Sequence, residues 1–213
     1  MSTLEIKICG LTRLEDAQAA ASLGADYLGF VLYAKSPRGI DAGRAKRIID
    51  QLPKAVRAVG VFVNSPGVEV ERIATDCGLY AVQIHGDESP AEFRNLSISV
   101  WRAVRFWRGR WVPEPSQWRA VRYVVDASVA GQYGGTGISA NWTAARELAA
   151  DYPVVLAGGL DPENVAEAVR AVRPTGVDVA SGVESEPGKK DHQKLKAFVE
   201  RARKSAGVPG NAW

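Results

Sequence analysis

Eight short runs rich in β-branched and apolar residues recur along the chain, and the segments between them carry helix-starting or turn signals. The runs are Leu4–Cys9, Tyr27–Val31, Val56–Val63, Ala81–His85, Ser99–Val104, Val121–Asp126, Val154–Ala157 and Val177–Ala180. Thr12-Arg13-Leu14-Glu15 reads as a capping box, with a hydroxyl for the first free N–H groups and a glutamate three residues on. Ser89-Pro90-Ala91-Glu92 repeats it with proline at the first helical position, and Ser65-Pro66 and Asp161-Pro162 give the same proline signal. Ala166–Val172 and Leu195–Ala202 continue helically. Strand–helix alternation of this kind demands parallel strands joined by right-handed crossovers. Eight units predict an α/β protein with a single closed (β/α)₈ barrel, an open doubly wound sheet being the other arrangement that fits. The predicted barrel spans residues 1–206, and the tail 207–213 is expected to be frayed. Arg105–Arg119, rich in Trp, Arg and Pro, is predicted as a loop with a short or irregular helix.

Composition narrows the class. Hydrophobic residues make up 46% and charged ones 24%, which excludes disorder, collagen and coiled coil. With 27 basic and 24 acidic side chains the net charge is +3, better suited to an anionic small molecule than to nucleic acid. The Trp/Arg stretch from Trp101 to Arg119 has the composition of a single-strand nucleic-acid surface. Arginines stacked on tryptophans over the outside of the barrel explain it equally well. Cys9 and Cys77 make neither a disulfide framework nor a zinc site, and they suit a reducing compartment. The first residues show no signal peptide, and no apolar run approaches the ~20 residues of a membrane span. A cytoplasmic protein without membrane or nucleic-acid partners is expected.

Successive strand side chains point to opposite faces. Ile6 and Ile8 oppose Lys7 and Cys9; Val82 and Ile84 oppose Gln83 and His85. Tyr123 and Val125 oppose Arg122 and Asp126, and Val177 and Val179 oppose Asp178. Strands covered by helices need an apolar outer face, so the polar sets are predicted to point into the barrel. Lys7, Arg122, Asp126 and Asp178 would then form a lumen network, for Lys7 and Arg122 a structural one, since buried charges must be paired.

Three titratable residues end strands where such barrels carry their active sites: Cys9, His85 and Asp126. Cys9 precedes a helix start and lies near Lys7, both able to favour a thiolate; the alternative is an inert buried cysteine. Cys77 is expected to be inert, His85 to contact ligand or satisfy a backbone group, and His192 to be solvated. Leu156-Ala157-Gly158-Gly159-Leu160 and Ala180-Ser181-Gly182-Val183-Glu184 follow the last two strands. Loops at those two places commonly bind phosphate, through amides that glycine leaves accessible. Gly134-Gly135-Thr136-Gly137 could cover a ligand but is no P-loop, because no Gly-Lys-Ser/Thr follows.

These pieces, taken in order, resemble the phosphoribosylanthranilate isomerases. The resemblance runs from Lys7 to Val199. It rests on Lys7-Ile8-Cys9-Gly10-Leu11-Thr12, Lys35-Ser36-Pro37-Arg38, Gly60-Val61-Phe62-Val63-Asn64, Gln83-Ile84-His85-Gly86-Asp87-Glu88, Tyr133-Gly134-Gly135-Thr136-Gly137, Ala157-Gly158-Gly159-Leu160 and Val177-Asp178-Val179-Ala180-Ser181-Gly182-Val183-Glu184. It implies an Amadori rearrangement of a phosphorylated aminosugar in tryptophan biosynthesis, with Cys9 as general base and Asp126 as general acid. It further implies that Arg38 faces the anthranilate, that Gly158, Gly159, Ser181 and Gly182 hold the phosphate, and that His85 and Asp178 lie near the substrate. Such chemistry needs no metal, nucleotide or other cofactor, and a monomer or homodimer would serve. A histidine-pathway aminoaldose isomerase would typically carry an aspartate where Cys9 stands; a phosphate-ligand sensor on the same scaffold would bind without turnover.

Overall fold

The structure, a computed structural model, describes residues 4–126 and 140–206. Eight parallel strands close into a barrel: β1 (Glu5–Ile8), β2 (Tyr27–Val31), β3 (Arg57–Phe62), β4 (Ala81–Ile84), β5 (Ser99–Trp107), β6 (Arg122–Asp126), β7 (Val154–Ala157) and β8 (Gly176–Val179). Each pairs in parallel with the next, and β8 returns to β1 through Glu5↔Gly176, Ile6↔Val177, Lys7↔Asp178 and Ile8↔Val179. The open doubly wound sheet is thereby excluded. The helices α1 (Leu14–Ser22), α2 (Ala42–Ile49), α3 (Gly67–Cys77), α4 (Ala140–Asp151), α5 (Val165–Val172) and α6 (His192–Ala206) follow β1, β2, β3, β6, β7 and β8.

The strand parity read from the sequence holds. Ile6, Ile8, Val82, Ile84, Tyr123, Val125, Val177 and Val179 join the main core between strands and helices. A second, inner cluster of Tyr27, Val59, Ala81, Trp101, Ala103, Val124 and Val155 fills the barrel. The charged inner residues are not one network. Arg122 forms a two-pronged bond to Glu5 at 2.8 and 2.9 Å where the strands begin, while Lys7 pairs with Asp178. Both are ion pairs; Arg122–Glu5 is partly exposed, whereas Lys7–Asp178 is buried, and buried charges persist only with such partners.

Local signals fared less evenly. Thr12 does not cap α1: its hydroxyl donates to the Gly188 carbonyl at 2.6 Å, and the N-cap residue is Arg13, with no side-chain cap bond. A tertiary partner has outcompeted the local one. Ser89 does accept from the Ala91 amide, but the segment it opens is a single 3₁₀ turn, Pro90–Phe93, rather than a helix.

The Trp/Arg stretch is also different from the expected loop. β5 runs on to Trp107 and folds back on Arg110–Val112 as an antiparallel hairpin, followed by a 3₁₀ turn at Pro115–Gln117. Arg108 and Gly109 both have positive φ, 49° and 78°, the backbone that two-residue hairpin turns require. Trp101 and Trp118 are buried, and the Arg102 guanidinium stacks 4.5 Å from the Trp118 ring centre. Arg102 also donates to the carbonyls of Ile84 and Gly86, and burial, opposed by Glu88, pushes it down to about 10. Two of the tryptophans that a nucleic-acid strand would stack on are therefore packing groups.

Among the described residues no helix is long and apolar enough to cross a membrane. The segment Tyr133-Gly134-Gly135-Thr136-Gly137 and the tail 207–213 lie outside the described residues.

Candidate active site

Cys9 continues the line of β1 by one residue, its amide donating to the Val179 carbonyl of β8 at 2.8 Å. It is buried, and the space for its sulfur comes from β2. A Cβ on Gly29 would stand 2.7 Å from Cys9 Sγ, closer than real side chains allow. Lys7, two residues earlier on the same face, is directly opposite Asp178, and its Nζ donates to Asp178 Oδ2 at 2.8 Å. Asp178 Oδ1 is buried with no hydrogen-bond partner among the described residues.

The electrostatics of this group are coupled. Burial works against the Lys7 charge, but Asp178 and then Cys9 outweigh it and hold the ammonium above its ordinary range. Burial pushes the Cys9 thiol up; Lys7 opposes that, Asp178 reinforces it, and the net direction is upward. Of the two influences the sequence leaves open at Cys9, the cation and the burial, both are present. Lys7 pulls toward the thiolate, and desolvation of the anion wins.

Asp126 ends β6, in register with Ala157 of β7 and Arg105 of β5. His85 follows β4, where Gln83 Nε2 lies 3.3 Å from its Nδ1. Burial lowers the His85 pKa; Asp126 and Asp178 oppose this, while Lys7 and Arg102 reinforce it. His85 therefore senses both the Asp126 side of the mouth and the Lys7–Asp178 side. A neutral imidazole at the mouth is a hydrogen-bonding group rather than a cation.

Arg38 lies in the loop after β2, and its stem crosses Gly10. A Cβ on Gly10, whose φ is 73°, would stand 2.6 Å from Arg38 Cδ. The guanidinium makes a fork to Glu184: Nε donates to both carboxylate oxygens at 2.9 and 3.0 Å, and Nη2 to Oε2 at 2.7 Å. Glu184 also accepts from Lys190 Nζ at 2.9 Å. The hydrogen bond to Glu184 raises Arg38. Burial tends to lift Glu184, but Arg38 and Lys190 together bring it below the ordinary carboxylate range. Lys190 moves down, because burial outweighs the pull of Glu184 and Cys9, and Arg38 adds to the burial effect.

The two late glycine loops touch. Gly158 and Gly159 both have positive φ, 84° and 68°. Gly182 packs so closely on the backbone of Leu160 and Asp161 that a Cβ there has no room. Ser181–Val183 is a 3₁₀ turn. Gly159 lies on the first of these loops, and Ser181 and Gly182 open the 3₁₀ turn of the second, where the first amides of a helical turn have no partner within the turn. Backbone amides brought together on two adjoining loops are the arrangement that can cradle an anion.

Cys77 ends α3 with its sulfur 3.4 Å from the Ala42 carbonyl, far from this chemistry in role and packing. His192 is not simply solvated: half its side chain is exposed, and its Nε2 lies 2.8 Å from Asp16 Oδ1. Sequence reasoning missed the parts played by Gly29, Lys190 and Asp16. Only Gly29 had a readable signal, a glycine at an inward position of an otherwise bulky strand.

A family model described as N-(5'phosphoribosyl)anthranilate (PRA) isomerase matches residues 6–201. The N-(5'-phosphoribosyl)anthranilate isomerase of Trichlorobacter lovleyi is 46% identical over 203 residues, covering 95% of this chain and 99% of that protein. The crystal structure of phosphoribosyl anthranilate isomerase from Thermotoga maritima superposes with a TM-score of 0.85 at 40% identity, covering 94% of this chain and 99% of the other. A phosphoribosyl anthranilate isomerase in complex with reduced 1-(o-carboxyphenylamino)-1-deoxyribulose 5-phosphate gives 0.82 at 38% identity, over 94% and 99% of the two chains. A match over this length, at this identity and on the same barrel, shows that the chain belongs to the N-(5'-phosphoribosyl)anthranilate isomerase family.

Proposed function

We propose that the protein converts N-(5'-phosphoribosyl)anthranilate to 1-(2-carboxyphenylamino)-1-deoxyribulose 5-phosphate, the Amadori step of tryptophan biosynthesis. The observation that carries this is a buried cysteine and a strand-ending aspartate at the same end of one barrel as two touching glycine loops.

Asp126 donates a proton to the ribose ring oxygen, the C1′–O bond breaks, and the anilino nitrogen lone pair forms the iminium. The iminium acidifies C2′–H. The Cys9 thiolate removes that proton, the C–H electron pair becomes the C1′=C2′ bond, and the nitrogen recovers its lone pair. Loss of the enol O–H proton and protonation at C1′ give the ketone. Hydrogen moves within one molecule, so no oxidant or reductant enters.

The active form needs one proton across the two groups, on Asp126 rather than on Cys9. The buried Cys9 resists ionisation, while the Lys7 ammonium and the iminium charge itself favour the thiolate. The ring thus becomes a better partner for the base once it has opened, which is differential stabilisation of the reacting state.

The 5-phosphate is taken by the amides of Gly159, Ser181 and Gly182, with Gly158 supplying the left-handed backbone that lets the loop close. Arg38 binds the aryl carboxylate. Asp178 Oδ1, buried and open, accepts from a sugar hydroxyl, and neutral His85 hydrogen-bonds at the mouth. No cofactor takes part. The reaction suits a cytoplasmic enzyme, acting as a monomer or homodimer. Fluorescence-monitored turnover of freshly made phosphoribosylanthranilate tests this directly. Binding without turnover would favour a ligand sensor, and turnover only of a histidine-pathway aminoaldose would favour the other isomerase.

A further inference from the structure

Arg38, a proposed substrate contact, is bonded two-pronged to Glu184, a carboxylate held by several further partners beside the site. Glu184 is buried. It accepts from Arg38 Nε and Nη2, from Lys190 Nζ at 2.9 Å and from the Gly188 amide at 3.3 Å. The hairpin that carries it, Glu184–Glu186 paired with Lys189–Lys190, is fastened once to the loop before α1 and once to α1 itself. Thr12 Oγ1 donates to the Gly188 carbonyl, and the Lys190 amide donates to buried Asp16 Oδ2 at 3.0 Å. Lys190 Nζ also donates to the Ala180 carbonyl at 3.0 Å, beside the phosphate loop. On its other flank the Arg38 stem rests on Gly10, next to Cys9.

A guanidinium has five N–H donors in a rigid plane. Glu184 occupies the edge made by Nε and Nη2. The edge made by Nη1 and the remaining Nη2 hydrogen donates to no described residue, and it is the two-donor edge left for a ligand. Fixing one edge of a plane fixes the direction of the other. A long arginine in a loop would otherwise lose considerable rotamer freedom on meeting its ligand.

We propose that Glu184 is the positioning residue that aims Arg38, so that the enzyme's preference for an ortho-carboxylate on the aryl group depends on Glu184. Glu184 does not touch substrate in this scheme; it holds the fork that does. The proposal rests on Arg38 reading the aryl carboxylate, and its test separates the two ideas.

The test is a binding and kinetic cycle. The ligands are reduced 1-(o-carboxyphenylamino)-1-deoxyribulose 5-phosphate and the same compound without the carboxyl. The proteins are wild type, Arg38→Ala, Glu184→Gln and Glu184→Asp. Glu184→Gln removes the charge and half the fork while keeping length; Glu184→Asp keeps the charge but is one methylene too short to span Nε and Nη2. Both are expected to weaken the carboxylate-bearing ligand by about tenfold, the size of one charged hydrogen bond, and the carboxyl-free ligand hardly at all. KM should rise more than kcat falls. A purely structural role would weaken both ligands alike and lower kcat through general loosening. If Arg38→Ala discriminates between the ligands and neither Glu184 variant does, Glu184 is not the positioning residue. If Arg38→Ala itself fails to discriminate, Arg38 does not read the carboxylate and both ideas fall. Should Glu184→Gln not fold, Glu184→Asp decides alone: unchanged discrimination in a folded Glu184→Asp overturns the proposal.

Discussion

Gly29 lies against Cys9: a methyl group on the glycine would stand 2.7 Å from the cysteine sulfur. The strand after the first helix thus leaves open the volume that the proposed base occupies. The glycine is there for close approach, since its own backbone needs no special φ.

Gly29→Ala should therefore displace Cys9 without unfolding the barrel. Overpacking of this kind costs about 1–3 kcal/mol of stability. A base moved by about 1 Å can lose on the order of 10²-fold in rate. The expected result is a modest fall in the unfolding midpoint with a large fall in kcat. Wild-type kcat in the variant would show that the sulfur's position does not matter.

Cys9→Ala and Asp126→Asn remove the two proposed proton-transfer groups with little change of shape. Each should lower turnover by at least the ~10²-fold typical of a positioned acid or base, while product-analogue binding stays within a few-fold. Turnover and far-UV circular dichroism, measured together, check this. A variant keeping a third of wild-type kcat removes that residue from the mechanism.

The pH profile should be bell-shaped, and its alkaline limb is the informative one. The working form holds one proton between Cys9 and Asp126, so activity lasts until that last proton is lost. Burial raises Cys9 in the free enzyme, so the falling limb of kcat/KM should lie above the ordinary cysteine range. Cys9→Ser should take that limb away from its place along with most of the rate. A fall centred near neutral pH would contradict the raised thiol.

Lys7→Met leaves Asp178 buried without its cation. Removing one partner of a buried pair typically costs about 3–5 kcal/mol. The direction of Lys7's shift adds a pH signature. Its folded pKa is raised, so the pair's contribution is complete below the unfolded lysine value and disappears as pH climbs through the folded one. Denaturant midpoints of wild type and Lys7→Met at neutral and strongly alkaline pH should converge at the alkaline end.

Gly159 and Gly182 should respond differently to alanine. At Gly159 the added methyl meets open space, and the penalty is the left-handed backbone, roughly 1–2 kcal/mol. At Gly182 it meets the Leu160 carbonyl, so the two loops must part. Inhibition by inorganic phosphate should weaken much more in Gly182→Ala than in Gly159→Ala. Equal effects would mean that the junction of the loops does not shape the phosphate site.

Much of this was legible in the chain. Period-two alternation assigns Lys7, Cys9, Gln83, Asp126 and Asp178 to the inner face, because strand side chains alternate whatever the fold. Eight strand–helix repeats then left a closed barrel as the better of two architectures, and strand ends identified Cys9, His85 and Asp126 as the titratable rim.

What the sequence could not decide was partner choice across long separations. Thr12 reads locally as a helix cap and instead bonds Gly188, 176 residues away. Arg38 is implied by the resemblance to face the anthranilate, and its partner within the protein, Glu184, lies 146 residues away. Arg105–Arg119 reads as irregular, and a hairpin forms because β5 offers it an edge to fold back on. At Cys9 the sequence leaves open whether Lys7 or burial prevails, and burial, which depends on every strand around it, carries its pKa upward. Alternation and turn chemistry are properties of neighbours in the chain. Desolvation, register and salt-bridge pairing belong to groups brought together only when the barrel closes.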